Sequence, residues 1–286
     1  MRRLAILAAC SALALPLTAC GGDEIDVADS GVPPAEAAAP AAAATTDAVA
    51  ATRAAERIPK SRLAYPTAVA PRSRPRGLLF VIHGGGWGPS TNASIKEAAA
   101  WGTGYQKQGW AAYTISMHSG PAGIEDAVAA YDRNRRRFGP KVPFCAIGAS
   151  SGGNVALMLA ARRPAMRCVI ANAPPTDLAR LYRESPGNRN SLARLFPGRL
   201  MQKYSPIRFE NAIKARLFLT VAANDTDVPP NQGTNFYRVH KQRTTLTILP
   251  PGDEFWTHSN VDADALDATF PKIDALLDSV ARAAGR

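Results

Sequence analysis

At 286 residues and 46% hydrophobic content, the chain can build one substantial α/β core. Its net charge of +11 is uneven, with seven acidic and two basic side chains in residues 21–57 and 30 basic against 16 acidic ones from Ile58 onward. Such a basic surface suits anionic lipid headgroups or cell-wall polymers, or simply solvates a helix face such as that of Arg133, Arg135, Arg136 and Arg137; without a recognisable binding module, nucleic acid is not expected as a partner.

The opening MRRLAILAACSALALPLTAC places two arginines before an apolar stretch of secretory, not transmembrane, length, which predicts a signal peptide over residues 1–19. Its last residues, Leu17 to Cys20, resemble the lipobox of bacterial lipoproteins. That resemblance implies a lipid on Cys20 and an exported, extracytoplasmic protein held to a bacterial membrane by its N-terminal anchor. Residues 20–57 are rich in alanine and proline and nearly free of large apolar side chains, the composition of a disordered tether. The globular domain is expected over residues 58–286.

Short apolar runs then alternate with helical patterns. Strands are predicted at 77–83, 111–116, 142–148, 168–173, 216–222 and 244–250, and helices near 93–108, 123–138, 152–163, 231–241 and 262–283. This order implies an α/β fold with a mostly parallel central sheet of about six to seven strands flanked by helices. One interval breaks the rhythm. Residues 174–216 are far longer than a simple crossover needs, and predict a small helical insert over the carboxyl edge of the sheet, where open α/β sheets bind ligands. Leu178, Leu181, Tyr182, Leu195 and Phe196 are expected to form its apolar underside, with Arg180, Arg183, Arg189, Arg194 and Arg199 toward solvent.

Two glycine-rich stretches sit at strand ends. In GASSGGN, Gly148, Ser150 and Gly152 fit G-x-S-x-G between a predicted strand and a predicted helix, the context of a nucleophile elbow. In HGGGW, residues 83–87, three glycines follow a buried strand. Because glycine loses the most backbone freedom on folding, a triplet suggests close-packed backbone donors. The N–H groups of Gly85 and Gly86, with that of Ser151, are the candidates for an oxyanion hole, His83 for orienting the loop and Trp87 for supporting the pocket wall.

A serine nucleophile needs a base and an orienting acid. Of four histidines, His83 lies in the glycine loop, His118 precedes the elbow and His240 ends a helical pattern on a face expected to be exposed, which leaves His258 in the loop after the last strand. In NDTDVPP, after the fifth strand, Asp225 and Asp227 compete as the acid; Asp225 is favoured because it leaves the strand first, and Asp253 and Glu254 are weaker candidates. Cys145 and Cys168 fall in predicted buried strands and are expected as two free, buried thiols, a disulfide being the lesser alternative.

With these residues in place, the chain resembles the α/β-hydrolase superfamily, and within it the hormone-sensitive-lipase-like esterases and their small relatives, through HGGGW, GASSGGN and NDTDVPPNQGTNFY over roughly residues 76–283. Two features depart from the pattern: Ile58 to Arg76 is short and proline-broken for a leading hairpin, and the loop of His258 lacks a neighbouring glycine. The resemblance implies a serine esterase acting on a small-molecule ester without metal or cofactor. Peptide or amide cleavage by a prolyl-oligopeptidase-like relative is the alternative, held back by the lack of a propeller in this sequence, and a non-catalytic binding lipoprotein is the third.

Overall fold

Six short runs of apolar residues, most of them buried on both sides, become the strands of one sheet: β1 (Leu78–Ile82), β2 (Ala111–Thr114), β3 (Phe144–Ala149), β4 (Cys168–Asn172), β5 (Arg216–Ala222) and β6 (Thr244–Leu249). The computed structural model describes residues 74–251, 258 and 263–286. The predicted signal peptide, Cys20, the tether, residues 58–73 with any leading edge strand, and Asp253 and Glu254 lie outside the described residues. The strand order is β2-β1-β3-β4-β5-β6 and every pairing is parallel.

Alternate side chains along each strand feed two apolar layers. Leu78, Phe80 and Ile82 of β1 and Phe144 and Ala146 of β3 face helices α2 (Pro121–Phe138), α3 (Ser151–Arg162) and α7 (Asn231–His240). Leu79, Val81, Cys145 and Ile147 face α1 (Asn92–Lys107) and α9 (Phe270–Ala283), which follows the short α8 (Ala263–Asp267). The period of two in the strands meets the period of 3.6 in helices such as α9, which buries Ile273, Leu276, Leu277 and Val280. This is the α/β-hydrolase fold.

The chain passes from β1 outward to β2 and then returns to lay β3 on the other side of β1. At that reversal the loops after β1 and β3 diverge to opposite faces, opening a crevice at the carboxyl edge of the sheet. The glycine loop follows β1 and the elbow follows β3, so the topology brings the two motifs to the same end of neighbouring strands.

The insert after β4 folds into α4 (Leu178–Glu184), α5 (Pro186–Leu195), α6 (Leu200–Lys203) and a 3-10 turn at Pro206–Arg208. Asp177 caps α4 by accepting the Arg180 N–H at 3.0 Å, and the N–H groups of Thr176 and Asp177 both donate to the buried Gln232 Oε1 of α7, which roots the insert in the main layer. Leu178, Leu181, Leu192 and Phe196 are fully buried. Tyr182 corrects the sequence expectation: one residue beyond Leu181, it is rotated by about 100° on the helix and lies outward.

The two cysteines also differ from expectation. Cys145 and Cys168 stand opposite each other in the β3/β4 register, with Cα atoms 4.7 Å apart, and form a disulfide. Strand neighbours approach this closely only where the register pairs them directly, and the sequence does not reveal the register. His240 is likewise buried, not exposed: its ring stacks on Phe236 with centroids 4.2 Å apart, and neither ring nitrogen has a hydrogen-bond partner among the described residues.

Two outcomes follow for stability. Closing a loop of 23 residues restricts the unfolded chain by about 3 kcal/mol, so Cys145→Ala/Cys168→Ala should lower the unfolding free energy in urea by about 2–4 kcal/mol and become insensitive to reductant. Burial, and secondarily the Arg243 charge, push the His240 pKa down to about 4. The unfolded histidine binds its proton near 6.5, so the folded state loses stability as pH falls from there toward 4 and no further below. His240→Phe should remove that loss, up to about 3 kcal/mol between neutral pH and about pH 4, in urea titrations at the two pH values.

Candidate active site

Where β3 runs into α3 the backbone turns through Ser150, a non-glycine residue at φ 53° and ψ −127°. Such a conformation costs roughly 1–3 kcal/mol and persists only where its surroundings enforce it. Here the Ser150 N–H donates to the Asn172 carbonyl at 2.8 Å, while its own carbonyl accepts the N–H groups of Gly153 and Asn154. The turn also has no room for side chains: a Cβ on Gly148 would lie 2.4 Å from the Gly152 carbonyl oxygen, and one on Gly152 would lie 2.4 Å from the carbonyl oxygens of both Ile82 and His83. The start of α3 is thereby pressed against the end of β1.

Of the two candidate acids, the structure brings Asp225 into the site. Its side chain is fully buried; Oδ1 accepts the N–H groups of Asp227 at 2.9 Å and Val228 at 2.8 Å, and Oδ2 faces His258 Nδ1 at 2.8 Å. His258 Nε2 lies 3.0 Å from Ser150 Oγ. A carboxylate only accepts, so Nδ1 carries hydrogen, and in the neutral ring Nε2 presents its lone pair to the serine hydroxyl. Asp227 gives a backbone amide to this arrangement and keeps its own carboxylate near enough to act on the His258 charge.

The glycine loop is held in a left-handed course, with Gly85 at φ 106°, Gly86 at 63° and Trp87 at 59°. Gly85 and Gly86 are exposed, and their N–H groups donate to no acceptor among the described residues. His83 Nδ1 lies 2.6 Å from the Gly84 carbonyl oxygen, which again requires hydrogen on Nδ1. Its Nε2 then accepts from the Ser90 hydroxyl at 2.6 Å, and Ser90 Oγ in turn accepts the Met117 N–H at 2.7 Å. Because the peptide bonds are trans, fixing the Gly84 carbonyl sends the Gly85 N–H to the opposite side. Burial lowers the His83 pKa against the raising effect of the Gly84 hydrogen bond, so the ring stays neutral for this task. Ser90 escaped the sequence analysis, since a serine seven residues beyond the histidine carries no local signal.

His118 is placed elsewhere, 2.8 Å from Asp126 at the entry to α2. Among the described residues, no group of three or more His, Cys, Asp or Glu side chains is arranged to hold a metal ion.

The sequence pattern of the prolyl oligopeptidase family matches residues 98–249, from α1 to the end of β6. The chain belongs to this family. Compared with curated protein sequences, it has no match. Among solved structures it is similar to a Mycobacterium tuberculosis puromycin-hydrolyzing peptidase, with a TM-score of 0.61 and 17% identity over 75% of this chain and 36% of the other. It is similar also to a truncated carbohydrate esterase from gut microbiota, at TM-score 0.57 and 18% identity over 73% and 88% of the two chains. A third likeness, at TM-score 0.51 and 14% identity, is to the Pyrococcus horikoshii acylaminoacyl peptidase, over 62% of this chain and 32% of that one. This family member thus spans about a third of the length of the peptidase structures it matches.

Burial opposes protonation of His258, but the hydrogen bond and charge of Asp225, with the charge of Asp227, outweigh it and raise the pKa above 6.5. The pairing therefore stabilises the fold fully below about pH 6.5, and that contribution is lost as pH rises through the folded value. By NMR, the His258 imidazole should titrate above 6.5, at a lower pH in Asp227→Asn and lower still in Asp225→Asn.

Proposed function

We propose that this protein is a serine esterase that cleaves carboxylic esters through an acyl-enzyme, with Ser150 as nucleophile, His258 as general base and acid, and Asp225 as the orienting carboxylate. The unbroken line from Ser150 Oγ through His258 to the buried Asp225 carries the proposal. Ser150 Oγ bonds to the ester carbonyl carbon while its proton passes to His258 Nε2, and the carbonyl oxygen takes the negative charge. The N–H groups of Gly85, Gly86 and Ser151 receive that oxyanion, each donor contributing about 3–4 kcal/mol. On collapse the C–O bond to the alcohol breaks and the leaving oxygen takes the proton from His258. Water, deprotonated by His258, then attacks the acyl carbon, and Ser150 leaves with the proton.

The likeness of HGGGW and GASSGGN to hormone-sensitive-lipase-like esterases supports the ester as substrate, and the α4 to α6 insert would form the wall of its binding site. The family match over residues 98–249 favours a second reading, cleavage of a peptide or other amide by the same residues. An exported protein anchored through Cys20 is part of the proposal. The Cys145–Cys168 disulfide supports it, since such bonds persist outside the reducing cytoplasm.

The full-length chain should hydrolyse p-nitrophenyl acetate, butyrate or decanoate, and Ser150→Ala should lose roughly a millionfold in kcat. Matched acyl p-nitroanilides run beside the esters decide the bond: faster turnover of the anilide would give the site to amide cleavage, and a folded chain that turns over neither would overturn the proposal.

A further inference from the structure

Asn154 is fully buried one helical turn beyond Ser150 and has no part in the chemistry just described. Its Oδ1 accepts the Trp87 indole N–H at 3.0 Å. Its Nδ2 donates to the Pro175 carbonyl at 2.9 Å and to the Tyr204 carbonyl at 3.2 Å. The partners leave no doubt about which end of the amide is which, because carbonyls only accept and an indole N–H only donates. One side chain therefore touches the glycine loop, the segment after β4 and the C-terminal root of the insert.

Trp87 is the residue this bond has to hold. It adopts φ 59°, a conformation that bulky side chains avoid. Its carbonyl accepts the Gly120 N–H at 2.8 Å, its ring meets Phe196 edge-on with centroids 5.4 Å apart, and Phe196 in turn packs on Tyr204. His83 fixes the leading end of the glycine loop through the Gly84 carbonyl; Trp87 ends the loop, and its only side-chain hydrogen bond among the described residues is to Asn154.

We infer that Asn154 is a positioning residue that registers the glycine loop, and with it the root of the insert, against the nucleophile. The inference rests on the serine-hydrolase function proposed above. The two halves of the oxyanion hole come from different strands: Gly85 and Gly86 follow β1, and Ser151 follows β3. Asn154 sits on the same first turn of α3 as Ser151, so its bond to Trp87 measures the position of one half from the backbone of the other. A displacement of about 1 Å at such donors is enough to cost on the order of a hundredfold in rate.

The test uses Trp87→Phe, which keeps an aromatic side chain at the end of the loop but loses the indole N–H together with the five-membered part of the ring, alongside Asn154→Ala and the double variant, all in the full-length chain. Active sites are counted with a fluorophosphonate so that rates refer to folded, labelled protein. Trp87→Phe and Asn154→Ala should each lower kcat by about ten- to a hundredfold with KM nearly unchanged, and the double variant should lose little more than the worse single one, since both cut the same bond. An alkyl boronic acid, which adds to Ser150 Oγ as a tetrahedral anion, should bind more weakly by the same factor as kcat/KM falls. A lowered melting temperature with unchanged kcat per labelled site and unchanged boronate affinity would overturn the inference and leave Asn154 a packing residue. Should Asn154→Ala fail to fold, Trp87→Phe alone decides by the same two readouts. Wild-type protein that neither labels nor turns over would remove the proposed function, and the inference with it.

Discussion

The site depends on one close approach of two stretches of backbone. Gly152, at the start of α3, lies so near the carbonyls of Ile82 and His83 that a Cβ there would overlap both. That contact makes the elbow and the glycine loop neighbours, because the residues after Ile82 have no course open to them except around the start of α3. The parallel order β2-β1-β3 supplies the crevice, and the two glycines of the elbow let the chain close it down to backbone distance. Side chains from β5 and from the loop beyond β6 then need to span only one or two hydrogen bonds.

Two histidines in this crevice show how the partner sets the role of the ring. Both place hydrogen on Nδ1. In His83 that hydrogen meets a neutral carbonyl and burial wins, holding the ring uncharged as a fixed strut. In His258 it meets a buried carboxylate backed by a second acidic residue, and the pKa rises in spite of burial. The first ring stays neutral, whereas the second is biased toward holding a proton. The buried Asp225 carboxylate has both oxygens met, one by two backbone amides and the other by the imidazole.

The sheet was legible because buried parallel strands are continuous apolar runs, and the strand ends fell within one or two residues of expectation at most boundaries. Ser150, Asp225 and His258 were legible because small residues, a strand end and a loop histidine are local signals, and the structure brings those three side chains within hydrogen-bond reach. What stayed hidden depends on register and tertiary contact. The Cys145–Cys168 bond requires knowing that these residues stand opposite each other across β3 and β4. The burial of His240 requires knowing how α7 lies over the sheet. Ser90 and Asn154 find their partners 27 and 67 residues away in the chain, beyond any local pattern.

The bridge between β3 and β4 also says something about order in time. Both sulfurs lie in the apolar layer beneath α1 and α9, with no exposed surface on either cysteine. An oxidant or a thiol exchange partner cannot reach them once those helices have docked. The bond must therefore form while the two central strands are still open on that face, so that each finished molecule carries a record of the redox conditions in which its sheet closed. A chain that closed in a reducing compartment would stay reduced after transfer to an oxidising one, until it opened again.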